Sequence, residues 1–344
     1  MLRKPAFSFF SILSDFIPFD FLIRLCNQRI ILPFYHTVSD KDLPHIKHLY
    51  RIRSEKQFRQ DLDFILKYYK PVDIFEIRKI IEKGKKEINK YFMLSFDDGL
   101  REVYDLIAPI LKKKGIPATF FINSGFVDNN DLFYRYKASI LIETFQCKPL
   151  SKESIEKVKK CLIKYKHWYK KICKSILSVD YNKSEVLDEI AGIFEVDFRE
   201  YLKIEKPYLS SYQIKELLKD GFTIGAHSVD HPDFQNISLS EQINQTLKSI
   251  NFLRHKFNID YKFFSFPFTD YKISKEYFES IYYKEKPKVD ISFGAAGLKK
   301  DSFKFHLQRI PMEETSLSAK NYLTSEYLYY LLKKPLGKNK IYRN

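Results

Sequence analysis

Short apolar runs alternate along this chain with stretches whose apolar positions recur every three or four residues. The runs predict strands at 30–35, 91–96, 116–123, 222–226, 263–268, 289–293 and 303–310, the last with visible alternation. Phe58, Leu62, Ile65, Leu66 and Tyr69 keep helical spacing over 55–70, and Ser54 is a suitable N-cap. Val103, Ile107, Ile110 and Leu111 predict the next helix. It closes on Lys112, Lys113 and Lys114 with Gly115 beyond, cations at the negative end and glycine past the last turn. Ser210 and Ser211 can cap a helix through Leu218, and Leu239, Ile243, Leu247, Ile250 and Leu253 mark a long one.

Strand, helix and strand in succession imply parallel pairing through right-handed crossovers. Repeated in this way, the units predict an α/β protein, a (β/α) barrel or a doubly wound sheet. The rhythm stops between 128 and 206, where the spacing is helical and no core strand is evident. The organisation expected is an amphipathic segment at 1–29, a catalytic domain from 30–127 and 207–315, a helical insertion at 128–206 and a helical tail at 316–344.

Composition narrows the function class. The chain has 344 residues, 44% of them hydrophobic, enough for one large core with an insertion. Its net charge of +16 favours anionic surroundings, yet the lysines are scattered, and no zinc-finger spacing, RNA-binding motif or basic zipper is present. Nucleic acid is therefore not expected as a partner. Four cysteines without a CxxC pair suit reduced thiols.

The segment 7–26 is aromatic and apolar but is interrupted by Asp15, Pro18, Asp20 and Arg24, and no small-residue cleavage site follows. It is read as packed on the domain or lying at a membrane surface. The expected location is the cytoplasm, with peripheral association at the inner membrane as the second reading of this segment.

The candidate chemistry gathers at strand ends. Asp97 and Asp98 stand where an apolar strand opens into Gly99, and two adjacent carboxylates in a partly desolvated position favour a cation. His227 and His231 follow the strand ending in Gly225-Ala226. With one carboxylate they form a mixed N/O set suited to Zn²⁺, with Co²⁺ or Ni²⁺ also acceptable, and three protein ligands leave room for water and substrate. His45 and His48 flank a polar loop and are expected to be solvated.

These motifs resemble those of the polysaccharide deacetylases with a NodB-homology domain. Ser95-Phe96-Asp97-Asp98-Gly99 matches the first motif and His227-Ser228-Val229-Asp230-His231 the second. The resemblance implies a distorted or incomplete barrel and a divalent metal held by Asp98, His227 and His231. It implies Asp97 as general base and an N-acetylated glycan as substrate. Tyr35-His36-Thr37-Val38 resembles the branch whose motifs are circularly permuted, which makes His36 the preferred general acid, with His306 on the last strand as its rival. The third motif, at Phe264-Ser265-Phe266-Pro267-Phe268, lacks the arginine that orients the base. Pro267 and Phe268 are expected to shape the sugar pocket, and Arg309 is the candidate for the missing cation. An inactive glycan-binding protein on the same fold is the alternative function. Oligomeric state is not readable.

Overall fold

The computed structural model describes residues 3–84, 88–283 and 286–344. The chain divides into two compact units, one formed by Met1–Asp40, Ile52–Val127 and Leu209–Asn344, the other by Lys41–Arg51 and Asp128–Tyr208.

The first unit is a distorted (β/α) barrel. Its strands are β1 (Pro33–Tyr35), β2 (Leu94–Phe96), β3 (Ala118–Ile122), β4 (Thr223–Ala226), β5 (Phe263–Ser265), β6 (Ile291–Gly294), β7 (His306–Gln308) and β8 (Ile310–Pro311). They pair in parallel in the order β8-β1-β2-β3-β4-β5-β6-β7. Strands covered on both faces favour near-continuous apolar runs, and β1 to β6 are buried throughout.

Alternate positions serve two cores. Leu94, Phe96, Phe120, Ile224 and Phe264 join the large core shared with the helices, whereas Phe121, Phe263, Ile291 and Phe293 belong to a separate cluster with Leu32 and Met93. On β2 and β5, the residues alternating with the large core include Ser95 and Ser265, which are buried and polar. They prepare the interior for a charge.

Several expected strands are shorter than their apolar runs. The runs at 30–35 and 91–96 each split, and their first halves, Ile30–Ile31 and Tyr91–Phe92, form a small parallel sheet with Lys70–Pro71. The run at 263–268 stops at Ser265, because Pro267 has no N–H to give and Phe268 turns left-handed at φ 52. The run at 303–310 breaks at Arg309: its backbone N–H donates to Gly294 O of β6, whereas that of Ile310 donates to Leu32 O beside β1. One residue thus joins the two ends of the eight-strand row.

The N-terminal helices Arg3–Leu13 and Phe19–Cys26 pack on the helix Ala319–Lys333. Phe7 meets Tyr322 and Tyr329 at 5.3 and 5.8 Å, and Phe19 meets Tyr327 at 5.1 Å. Beyond that helix, Lys340–Ile341 adds a strand beside Lys300–Asp301, which runs antiparallel to β7. Among the described residues no helix is long and apolar enough to cross a membrane.

The second unit is helical, with helices Tyr134–Cys147, Lys152–Lys164, Ile172–Leu177, Glu185–Phe194 and Phe198–Glu205 around Leu141, Val158, Leu162, Ile176 and Ile190. His45 and His48 are not solvated, contrary to expectation. The rings of Tyr136 and Tyr201 enclose His45, whose Nδ1 lies 2.8 Å from Tyr201 Oη, and His48 Nε2 pairs with Glu143 at 2.7 Å.

Candidate active site

The site forms where β1, β2 and β4 end. Tyr35 of β1 and Phe96 of β2 are in register, so the next residues, His36 and Asp97, emerge side by side, and Asp97 N–H still donates to Tyr35 O at 3.0 Å. Asp98 and Gly99 then turn the chain with φ of 71 and 67. Aspartate tolerates this conformation better than most residues, and glycine carries no penalty there. Only glycine fits the second position, since a Cβ on Gly99 would come within 2.7 Å of Ile122 Cγ2. A π-type turn, Val103–Ile107, follows before the regular helix Ala108–Lys114.

The segment after β4 is pinned just as firmly. His227 N–H donates to Ile122 O, and Asn123 Nδ2 donates to His227 O and Ser228 Oγ. Ser228 Oγ in turn accepts from His231 N–H at 3.0 Å. This turn brings both imidazoles to one side. His227 Nδ1 lies 2.9 Å from Ser265 O. A carbonyl only accepts, so Nδ1 carries the proton and the lone pair lies on Nε2, the nitrogen that could hold an ion.

Asp98, His227 and His231 converge. Asp98 Oδ1 lies 3.4 Å from His227 Nε2 and 3.3 Å from His231 Nε2, and all three residues are buried. A tetrahedral ion with ligands at about 2.0–2.2 Å has donor–donor edges of about 3.3–3.6 Å, so this donor set fits a Zn²⁺-like ion. Burial opposes the charge on Asp98, but the two imidazoles hold its carboxyl well below the usual range; burial likewise keeps His231 below its ordinary value. An ionised carboxylate and a neutral imidazole are the forms a metal ion takes.

Asp97 faces a different partner. Arg309, between β7 and β8, sends Nη1 and Nη2 to the two Asp97 oxygens at 2.8 and 2.6 Å, and the same guanidinium donates to Ser95 Oγ and Ser265 Oγ at 3.0 and 2.6 Å. Phe34 lies under its plane at 4.1 Å. Although burial works against the charge on Asp97, Arg309 and His227 hold its carboxyl below its ordinary value.

His36 is anchored by Glu313. Glu313 Oε2 lies 2.7 Å from His36 Nδ1 and accepts His36 N–H at 2.9 Å, and Oε1 accepts Thr37 N–H at 3.2 Å. Burial disfavours an imidazolium, but the Glu313 hydrogen bond and charge, with further pull from Asp98 and Asp97, push His36 up to about 9. Sequence reasoning missed Glu313. The strand ends at Pro311 and Glu313 lies in the turn beyond it, so no strand periodicity in the chain pointed to it.

The remaining expected residues divide. Phe268 stands half in solvent with its ring edge-on to His231 at 4.6 Å, whereas Pro267 is buried behind it. His306 is not brought to Asp97. Its ring is 1% exposed, Nδ1 bonds Ser292 Oγ at 2.7 Å and Nε2 bonds Asp270 Oδ2 at 3.0 Å, so both nitrogens are engaged in another cluster.

Comparison with known proteins agrees with this architecture. The family model described as polysaccharide deacetylase matches residues 84–181 and 199–280, more than half the chain. Among solved structures, the Streptococcus pyogenes deacetylase PplD in complex with acetate is 16% identical, with 86% of this chain and 97% of that chain covered at a TM-score of 0.54. IcaB from Ammonifex degensii is 15% identical over 87% and 97%, with a TM-score of 0.53. A de-N-acetylase from Aggregatibacter actinomycetemcomitans is 14% identical over 85% and 99%, with a TM-score of 0.51. Identities this low speak for the fold. A comparison with curated protein sequences gives no match. With the family model matching more than half the chain, including strands β2 to β5 and both metal-type motifs, the chain belongs to the polysaccharide deacetylase family.

Proposed function

We propose that this protein is a metal-dependent hydrolase that removes the N-acetyl group from an N-acetylated sugar, in a polysaccharide, an oligosaccharide or a lipid- or nucleotide-linked glycan precursor. One observation carries the reading: a buried Asp/His/His donor set stands beside an arginine-held carboxylate and a glutamate-held histidine. Those are the parts amide hydrolysis needs, namely an electrophile, a base and an acid.

Asp98, His227 and His231 would hold the ion, with Zn²⁺, Co²⁺ and Ni²⁺ all compatible with the donors. A bound divalent ion would supply Lewis acidity to the acetamide carbonyl and lower the pKa of attacking water. Asp97 takes the proton from that water. Oδ2 accepts from both Arg309 and Ser265 Oγ, whereas Oδ1 accepts from Arg309 alone and retains a second lone pair for this purpose. His36, charged at neutral pH through Glu313, delivers a proton to the departing amine as the C–N bond breaks. The products are acetate and the free amino sugar. Phe268 offers an exposed ring face for the sugar. The position of His36 ahead of the Asp97–Asp98 motif supports membership of the permuted branch.

The competing reading, a glycan-binding protein without turnover, rests on the missing arginine of the third motif. Arg309, paired with Asp97, supplies a cation of that kind, which supports the reading with turnover.

A lipid-linked substrate agrees with the N-terminal segment, whose two helices and the turn between them leave Phe9, Ile12, Phe16, Phe21 and Leu25 exposed on a chain of net charge +16. Such a face suits peripheral association with an anionic membrane surface.

The deciding experiment is acetate release from a panel of N-acetylated glycans by metal-loaded protein, alongside Asp97→Asn. Release by the parent and not by the variant supports the reading. Equal release by both overturns the assignment of Asp97, and no release from any substrate by a fully loaded protein favours the binding alternative.

A further inference from the structure

A second cluster of metal-type donors, Asp270, Asp301 and His306, has its ligand atoms within 4.8 Å of one another. Here the positive charge is a side chain. Arg343 Nη2 donates to Asp270 Oδ2 and, at 2.6 Å, to Asp301 Oδ2; Nε donates to Asp301 Oδ2 at 3.0 Å and Nη1 to the Asp270 carbonyl. The three side chains are at most 4% exposed, and the guanidinium lies over Phe278 at 4.6 Å. Asp270 also receives His306 Nε2 at 3.0 Å and Gln308 Nε2 at 2.7 Å. Gly294 leaves the room this requires, since a Cβ there would sit 2.3 Å from Asp270 Oδ1.

Asp270 is two residues beyond Phe268. Between them the chain makes a tight turn in which Thr269 N–H donates to Pro267 O at 2.6 Å and Phe268 holds a φ of 52. A bulky residue rarely takes that conformation and keeps it only when its surroundings impose it. The surroundings are explicit. The Asp270 end of the turn is fixed by Arg343, and its other end continues from β5, whose Ser265 accepts the His227 imidazole.

We propose that Arg343 is a positioning residue for the site: by clamping Asp270 to Asp301 it holds the turn that keeps Phe268 against His231. It acts through Asp270 and Phe268 and touches no reacting atom. The proposal rests on reading His231 as a metal ligand and Phe268 as a wall of the sugar pocket.

The test uses the full chain with Arg343→Met, which keeps an apolar stem and removes the fork, and Arg343→Lys, which restores charge without bidentate geometry. Hydrogen exchange of the peptide covering 266–273 should quicken about ten-fold or more in Arg343→Met, with 118–122 of β3 unchanged. Zn²⁺ affinity, read by competition with a chromophoric chelator, should weaken about 10-fold, the usual scale for outer-sphere support. KM for acetate release should rise more than kcat falls, and Arg343→Lys should lie between parent and Met variant. Unchanged exchange in 266–273, or exchange quickened equally throughout the barrel, overturns the proposal. Should the Met variant not fold, Asp301→Asn loosens the same clamp from the other side, and an unaltered 266–273 peptide there overturns it equally. Exchange is measured without substrate or metal, so a parent protein that releases no acetate counts against the proposed function and leaves this test standing.

Discussion

Arg309 holds both oxygens of Asp97, at 2.8 and 2.6 Å, where the two side chains are 1% and 3% exposed. Replacing one member of such a pair leaves a buried charge uncompensated, so Arg309→Met should cost roughly 3–5 kcal/mol in urea unfolding. It should also move the acidic limb of kcat/KM to higher pH. The sign follows from the lowered Asp97 pKa. Ionised Asp97 stabilises the fold above the unfolded carboxyl value, and this is lost as pH falls through the folded value; without Arg309 the folded value rises. An unmoved acidic limb would count against Asp97 as the base.

Base and ligand roles separate by experiment. Asp97→Asn should retain stoichiometric Zn²⁺ by elemental analysis while acetate release drops by about 10²- to 10⁴-fold. Asp98→Asn and His231→Ala should lose the ion itself, weakening affinity by more than ~100-fold, beyond what loss of an outer-sphere partner costs. A His231→Ala protein with full metal content would sink the proposed donor set.

With His36 as the proposed acid, the alkaline side of the pH profile should follow its titration. Burial resists its charge and Glu313 outweighs burial, pushing the group up to about 9. Its pairing therefore stabilises the fold fully below the unfolded histidine value of about 6.5 and ceases to do so as pH rises through about 9. In Glu313→Gln the His36 titration, followed by NMR of the metal-free protein, should fall by about a unit or more. The alkaline limb of kcat/KM should move the same way. A titration identical to the parent's would show that Glu313 does not set this group.

Much of this arrangement was legible in the chain. A strand covered on both faces appears as a near-continuous apolar string, and a charged residue at its end needs solvent, a ligand or a charged partner. Asp97 after Phe96 and His227 after Ala226 announce themselves in this way. Ser95 and Ser265 do not. They read as ordinary polar breaks in apolar runs, and their common partner Arg309 lies 214 and 44 positions away. The break in the run at 303–310 was equally hidden, because it is imposed by the pairing of neighbouring strands and not by local composition. His306 misled for the converse reason: a histidine on a late strand is conspicuous, while the serine and aspartate that enclose it are not.

Gly99→Ala should be disproportionately harmful for an exchange of one methyl group. The added carbon would meet Ile122 at 2.7 Å and the backbone would have to hold φ 67 with a Cβ. A loss of roughly 1–3 kcal/mol, together with impaired Zn²⁺ retention, is expected because Asp98 shares the turn. Normal metal content and an unchanged melting temperature would contradict this account.

The N-terminal face predicts partitioning onto vesicles containing phosphatidylglycerol. Phe16 is 80% exposed and Ile12 67%. Moving one such side chain into an apolar phase is worth about 1.5–3 kcal/mol, so Ile12→Glu with Phe16→Glu should lower co-sedimentation at least ten-fold. Acetate release from a soluble oligosaccharide should be unaffected. Equal co-sedimentation of parent and double variant would exclude this face as the contact.

The junction at Arg309 makes one residue answer for two events. Its main chain reaches β6 at one end of the strand row just before Ile310 joins β1 at the other, and its side chain tethers the Asp97 carboxylate. Closure of the strand row and restraint of the Asp97 carboxylate are thus vested in a single residue.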